Sequence, residues 1–557
     1  MIIEELRAIQ KKHGYLPVEE LRGLSQRTQS PLYQLQGVAS FFPHFRLAPP
    51  PPVEVLACID MSCHLQDADG LRRAVETRVA QFGPTGVVIR PTSCLGQCDR
   101  APAAAINDTI CAGLTAESLY THVEAAAAGR APRHARVEAS AARLIADPYT
   151  SGPRYTAAQR LIAGGDVAEA LAALKASGLR GMGGAGFATS LKWELVKNAP
   201  GNEKYVVCNA DESEPGTIKD RFIMEHAPHL VIEGMMLAQI VTGARQGILY
   251  IRHEYEGQGE ILERELEHCR QAGLLGQKLP GSDHSLDISI FVSPGGYICG
   301  EESALLEALE GKRAEPRNKP PFPVTSGLHN KPTVINNVET FAYVPSILAN
   351  GADWFKAQGR SGFAGLKFVG VSGHVARPGI YEVPMGTSMR TVIFDHAGGI
   401  SGGRALKAFA PSGPSSGFLP ASAVDVALDF RALDQAGSML GSGAIVVCAE
   451  GTCMLDMALN AQAFFQRESC GKCVPCRVGS AKMVDILVDI VHGQGRPEHL
   501  ALIDELSHAM GQASICGLGQ FAPKPILSVL RHFRSEVEDH LLRNRCPSGV
   551  CAGPDAQ

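Results

Sequence analysis

The sequence has no long hydrophobic run, little charge excess and no apolar stretch of signal-peptide type at its start. Nowhere do about 18 apolar residues follow one another, the length a membrane helix needs; even LVIEGMMLAQIVTG at 230–243 is broken by Glu233. Direct membrane insertion is therefore not expected. With 52 Lys and Arg against 57 Asp and Glu, the formal net charge is −5. That balance offers no electrostatic footprint for nucleic acid or an anionic lipid surface. The opening MIIEELRAIQKK contains no signal-peptide apolar stretch, so a cytoplasmic protein is expected. Cysteine, in contrast, is plentiful: there are sixteen. In a reducing compartment so many thiols point to metal or redox chemistry and away from a disulfide framework.

At 557 residues the chain is too long for one core, and roughly two to four domains are expected. Residues 1–47 place Ile3, Leu6, Ile9, Leu21 and Leu24 at helical spacing. Pro49 to Pro52 then form a stiff boundary. Residues 53–130 read as a small α/β unit, with VEVLAC and GVVIRPTSC as strands around the helix DADGLRRAVETRVAQF. An Ala- and Arg-rich linker covers 131–155. Residues 156–360 alternate strands (KYVVCNA, QGILYIRH, LDISIFV) with helices such as ALLEALEG. A glycine-rich, sheet-forming insert is expected over 366–440, a helical region over 450–545, and a cysteine-containing tail over 546–557.

Several short stretches carry chemistry. ESCGKCVPCRVGS at 468–480 holds Cys470, Cys473 and Cys476 as C-x2-C-x2-C, one thiolate short of the four that a zinc ion or a cubane cluster takes. Cys58-x4-Cys63 and Cys94-x3-Cys98, at the ends of neighbouring strands, can present four thiolates to either a [2Fe–2S] cluster or one zinc. GLRGMGGAGF at 178–187 is a glycine-dense loop before a helix; its backbone N–H groups suit a phosphate, although alone it reads equally as a tight turn. KYVVCNADESEPGTIKD runs a strand into a loop with Asn209, Asp211, Glu212 and Glu214. Those carboxylates repel phosphate but accept from ribose hydroxyls. GGYICGEESALL puts Glu301 and Glu302 at a helix start, and KPTVINNVETF adds the paired amides Asn336 and Asn337.

Together GLRGMGGAGF, VVCNADESEPGT, GGYICGEESALLEALEG, KPPFPVTSGLHNKPTVINNVET and ESCGKCVPCRVGS resemble the NADH-binding flavoprotein (51 kDa-type) subunit of respiratory complex I and its soluble relatives, the diaphorase subunits of NAD-linked formate dehydrogenases and hydrogenases. The match covers roughly residues 175–530. The first 130 residues, with GYLPVEEL, GVASFF and all four cysteines, resemble that family's thioredoxin-like [2Fe–2S] (24 kDa-type) subunit, here fused. The resemblance implies an α/β multidomain fold: a thioredoxin-like [2Fe–2S] domain, a Rossmann-like FMN and NAD domain, a small β-grasp-like insert and a C-terminal helical [4Fe–4S] bundle.

What the resemblance implies for the sites is specific. Cys58, Cys63, Cys94 and Cys98 would hold a [2Fe–2S] cluster. The missing cubane ligand would be Cys516 in QASICGLGQ, completing Cys470, Cys473 and Cys476. FMN would be held by Gly181, Gly183, Gly184, Lys192, Asn209, Asp211, Tyr297, Gly300, Glu301, Asn336, Asn337 and Thr340, with Glu212 in the same loop. The nicotinamide nucleotide would meet Phe187, Lys192, Glu214, Glu302 and Phe322, with Glu214 and Glu302 as candidate catalytic side chains. Met182, and ATSLKW after the loop, depart from the family pattern without removing a backbone donor. The tail, RNRCPSGVCAG, resembles the ending of flavoprotein subunits in electron-bifurcating hydrogenases, which implies a structural zinc on Cys453, His532, Cys546 and Cys551.

The activity implied is a diaphorase that passes electrons between NADH/NAD+ and other iron–sulfur and catalytic subunits. A soluble NAD-dependent formate dehydrogenase is the expected setting; the alternative is an NAD-coupled hydrogenase, bifurcating or not, or complex I.

Overall fold

The computed structural model describes residues 2–83, 86–130, 144–150 and 152–551. Most of the expected linker, 131–143 together with 151, lies outside them, as do the last six residues of the tail.

The first sheet has four strands in the order Val87–Thr92, Val53–Cys58, Ala103–Ile106, Thr109–Ala112. Val53–Cys58 runs parallel to Val87–Thr92 and antiparallel to Ala103–Ile106. Val53, Val55, Val75, Leu119 and Val123 fill its core beneath the helices Ala68–Val79 and Ala116–Ala127. Cys58 therefore ends a central strand. The short helix Met61–Leu65 carries Cys63 back over the sheet.

The second sheet is parallel throughout, ordered Asp287–Ser293, Gln246–Arg252, Tyr205–Ala210, Thr333–Asn337. Strands covered on both faces read as continuous apolar runs, which is what KYVVCNA and QGILYIRH are. Helix Pro228–Thr242, on one face, is buried along nearly its whole length. Glu233, the residue that interrupts its apolar run, accepts hydrogen bonds from the Tyr149 hydroxyl (2.9 Å) and the Ala158 amide (3.0 Å). Burial still pushes its pKa up to about 7. The opposite face is covered by the N-terminal helices Ile2–His13, Val18–Thr28 and Leu32–Ala39, whose Ile3, Leu6, Ile9, Leu21 and Leu24 share one core with Tyr250, Phe291 and Leu305. The amino-terminal helices thus pack on the large domain.

A third sheet, Gly379–Pro384, Leu366–Gly373, Ala444–Ala449, Leu406–Ala410, Leu419–Pro420, takes in a strand beyond residue 440. Ala444–Ala449 lies between Leu366–Gly373, to which it is parallel, and Leu406–Ala410, to which it is antiparallel. Helices Met454–Arg467, Val474–Val491, Glu498–Ala513, Lys524–His532 and Arg534–Arg543 finish the fold around a core of Met457, Leu487, Ile503 and Val529. Among the described residues no helix is long and apolar enough to cross a membrane.

Candidate functional site

In open parallel sheets, ligands bind beyond the carboxyl ends of the strands. Here Asn209, Asn336 and Asn337 occupy those ends. Asn209 Nδ2 donates to the Gly300 carbonyl at 2.8 Å and its Oδ1 accepts from the Asp211 amide at 3.1 Å. Asn336 Oδ1 accepts from the Trp193 indole at 3.0 Å. Asn337 caps helix Val338–Asn350 by accepting from Glu339 N at 3.0 Å, and its Nδ2 donates to Asp220 Oδ2 at 2.6 Å. Beneath them lies a buried charge cluster, Lys219 and Lys367 against Asp220 and Glu339. Burial lowers Lys367 to about 8 despite Glu339 beside it.

The glycine loop closes on these amides. Met182 N donates to Thr340 Oγ1 at 2.9 Å, and a Cβ on Gly183 would sit 2.9 Å from that of Asn337. Only glycine lets the backbone approach so closely. Lys192, on the following helix, donates to the Ile335 carbonyl at 2.8 Å and lies 3.9 Å from Glu302. Glu301 caps the helix Glu302–Leu309 by accepting from Ser303 N and Ala304 N, and Lys319 Nζ bridges Glu301 and Glu302 at 2.8 Å each. Phe187 and Phe322 stay 45% and 53% exposed, two aromatic faces turned to solvent at the rim.

The sequence places Glu214 at this site but does not disclose its partners. Ser415 N, from the PSGPSSG turn of the third sheet, donates to Glu214 Oε1 at 2.9 Å, and the Ser415 and Tyr297 hydroxyls lie 3.3 Å apart. Gly413 has φ +57, and a Cβ there would strike the Pro215 carbonyl at 2.4 Å. The Gly-Pro punctuation of that turn is the available signal. Burial raises the Glu214 pKa above the ordinary carboxylate value, against hydrogen bonds from Tyr297 and Ser415. Glu302 goes the other way, since Lys192 and Lys319 outweigh its burial. Glu212 accepts from Asp220 N, Arg221 N and the Tyr255 hydroxyl.

Cys58, Cys63, Cys94 and Cys98 converge at 2–5% exposure. Cys94 and Cys98 Sγ are 3.4 Å apart, and Gly216 N, two residues past Glu214, donates to Cys98 Sγ at 3.2 Å. Cys470, Cys473, Cys476 and Cys516 share one apolar cluster with Tyr297, Phe464 and Phe465. The SICGLG turn rests on Cys476, where a Cβ on Gly519 would lie 2.8 Å from the cysteine Cβ. Glu468, two residues before Cys470, accepts from Tyr297 N at 2.6 Å.

The tail needs one correction. Cys453, Cys546 and Cys551 come together as expected, but the histidine with them is His540, not His532. All four ligand atoms lie within 4.8 Å of one another. Cys453 Sγ is 3.6 Å from both His540 Nε2 and Cys551 Sγ. The helix carrying His532 ends at Phe533, and a new helix, Arg534–Arg543, turns His540 inward. The His540 Nδ1–Glu536 carbonyl bond at 2.7 Å leaves Nε2 free to ligate, a usual arrangement for metal-binding histidine. Three sulfurs and one imidazole nitrogen suit one tetrahedral zinc.

Similarity to known proteins agrees with this geometry. Residues 174–346 match the Nuo51 FMN-binding domain, 456–540 the iron–sulfur binding region of NADH-ubiquinone oxidoreductase-F, 1–127 the thioredoxin-like [2Fe-2S] ferredoxin, and 368–419 the SLBB domain. The chain is 44% identical over 384 residues to HndC, the NADP-reducing hydrogenase component of Solidesulfovibrio fructosivorans, covering 69% of this chain and 78% of that protein. It is 44% identical over 399 residues to the F 2 component of NADH-quinone oxidoreductase in Rhizobium meliloti, covering 72% and 95%. A crystal structure of an NAD+-reducing [NiFe]-hydrogenase superposes with a TM-score of 0.87 at 32% identity, over 96% of this chain and 93% of that one.

The crevice fits the flavin those matches imply. Asp211 Oδ2 and Thr189 Oγ1 are buried there with no partner among the described residues, and burial pushes Asp211 up to about 7. Polyol hydroxyls can satisfy either group, and a phosphate the threonine hydroxyl alone. The chain belongs to the family of NADH-binding flavoprotein subunits, oxidoreductase subunits carrying FMN, NAD(H), one [2Fe–2S] and one [4Fe–4S] cluster, here with the thioredoxin-like ferredoxin fused at the amino-terminal side.

Proposed function

We propose that this chain is the NAD(H)-reacting diaphorase subunit of a multisubunit dehydrogenase, with the crevice as the nucleotide entrance and Cys470, Cys473, Cys476 and Cys516 as the exit to a partner subunit. One observation carries the reading. The loop with Glu214 also donates to Cys98 through Gly216, and Tyr297, beside Glu214, donates through its backbone to Glu468 next to the cubane cysteines. Each cysteine set is thus tied to the crevice by a short hydrogen-bonded path.

When bound, FMN supplies the exchange between a two-electron hydride and single electrons. The chain's own residues bind and orient. In this proposal Gly181, Gly183, Gly184, Asn209, Asp211, Gly300, Asn336, Asn337 and Thr340 form the cradle, while Phe187 and Phe322 flank the entering nucleotide. Glu302, held ionised by two lysines, binds rather than transfers a proton. Glu214, fixed by Ser415, accepts from a ribose hydroxyl. Cys453, His540, Cys546 and Cys551 hold a structural zinc.

The partner's substrate is the finer question. A formate-oxidising assembly rests on the fused architecture alone. A hydrogen-oxidising assembly rests on likeness along 96% of the chain to part of an NAD+-reducing hydrogenase, and that observation favours it. Purifying the chain with its native partners and assaying NAD+ reduction by formate and by H2 decides between them. A complex that uses neither, or a chain alone without NADH:ferricyanide activity, overturns the proposal at those two levels.

A further inference from the structure

Two buried arginines of the flavin domain reach into the cysteine loop of the first sheet. Arg252, 2% exposed at the end of its strand, donates through Nη2 to the Cys94 carbonyl at 2.7 Å and through Nη1 to the Glu212 carbonyl. Its Nε and Nη2 also meet the two oxygens of Glu254 at 2.9 and 2.7 Å. Arg221, 3% exposed, donates to the Gly96 carbonyl and to Gln97 Oε1 at 3.1 Å, and pairs with Asp99 at 2.6 Å. The Gly216 amide, from the same domain, donates directly to Cys98 Sγ. The loop 94–98 supplies two of the four thiols, yet much of what surrounds it comes from a domain that supplies none.

Adding one electron to a cluster adds one negative charge. Hydrogen bonds to the ligand sulfurs and nearby cations stabilise that reduced form, which is how proteins move cluster potentials. The effect is strong where water is excluded, as it is around these cysteines. We propose that the flavin domain sets the potential of the [2Fe–2S] cluster: Arg252 and the Gly216 amide raise it, and Glu254 tempers the rise by partly neutralising Arg252. This rests on the reading that Cys58, Cys63, Cys94 and Cys98 are the ligands. The cluster's electron affinity is then a property of the assembled chain, set from the side facing the nucleotide.

A purely structural pin would shift the potential in no particular direction, whereas opposed charges must shift it in opposite directions. EPR-monitored redox titration of the holoprotein at one pH tests this with R252Q, R252K, E254Q and C98S. R252Q should lower the [2Fe–2S] potential and E254Q should raise it. R252K should lie nearer the wild type than R252Q, and the [4Fe–4S] potential should stay in place throughout. No shift in R252Q and E254Q, shifts of the same sign, or an R252K value as low as R252Q would overturn the proposal. If R252Q does not assemble, E254Q decides alone, and an unmoved potential there overturns it. C98S separates the underlying reading: an unchanged [2Fe–2S] signal in C98S means that the ligand assignment has failed, whatever the arginine variants do.

Discussion

The two cluster sites are built in opposite ways. The four amino-terminal cysteines are almost fully buried, between two domains that Arg221 and Arg252 pin together. At the carboxyl-terminal site Cys470, Cys473 and Cys516 are half-buried, and Val474 and Val478 stand 58% and 53% exposed on the same helix. A buried site has its nearest exchange partners inside the chain, so it suits transient storage. A site under a thin, partly apolar surface suits exchange with another protein. In the proposed function this contrast becomes a division of labour between one cluster facing inward and one facing a partner.

The largest expected effect breaks the outward side. Cys473→Ser should leave NADH:ferricyanide activity largely intact, since a small acceptor reaches the crevice directly. Iron should fall by about four atoms per chain, one cubane's worth, and transfer to the partner should be lost. Partner-coupled turnover at the wild-type rate would erase the distinction drawn between the two sites.

The proposed zinc site, Cys453, His540, Cys546 and Cys551, sharpens the comparison because it should carry no electrons. Elemental analysis should find about one zinc per chain beside the iron. Cys546→Ser with Cys551→Ser should remove it while flavin and both EPR signals persist, and the melting temperature should fall because metal binding is linked to folding. His540→Ala should behave like the double variant and His532→Ala like the wild type; the reverse result would restore His532 to the site.

A smaller effect is expected inside the crevice to which both cysteine sets are tied. In the proposed role, Glu214 meets a ribose hydroxyl and repels a 2′-phosphate. Glu214→Gln should therefore relax the preference for NADH over NADPH by roughly 1.5–3 kcal/mol, the range for hydrogen bonds to charged groups. Burial raises the Glu214 pKa, so the carboxyl takes up its proton at a higher pH than an exposed one would. The preference should weaken as pH falls through that raised pKa, and the Gln variant should lose this dependence. A kcat/KM ratio that moves neither with the substitution nor with pH removes Glu214 as the discriminator.

The short motifs were legible because local spacing carries them, whereas Cys516 and the ligand roles came from the resemblance. The cysteine pairs, the C-x2-C-x2-C run, the glycine loop and the amide pair each lie within a dozen residues, and the parallel strands announced themselves as apolar runs. What escaped is what tertiary packing alone brings together. Ser415 lies 201 positions from Glu214, and Arg252 158 from Cys94. His532 and His540 both precede Cys546 on helical sequence, and only the break at Phe533 decides which of them faces the sulfurs. The amino-terminal helices showed their apolar stripe but not that it would cover the flavin-domain sheet.

The smallest expected change in stability probes the outward surface itself. Val474 and Val478 are one turn apart on the helix Val474–Val491, both more than half exposed, while Cys476 between them is buried. A side chain already in water loses little burial when shortened, and surface substitutions of this kind usually stay within about 0.5 kcal/mol. Val478→Ser should therefore leave the melting temperature, flavin content and NADH:ferricyanide rate close to the wild type. If this face is where a partner docks, the same substitution should slow partner-coupled electron transfer and raise the partner concentration needed for half-maximal rate. A large loss of stability would show that the valine is packed and the cubane site closed. An unchanged partner-coupled rate would place the docking face elsewhere around Cys470, Cys473 and Cys516.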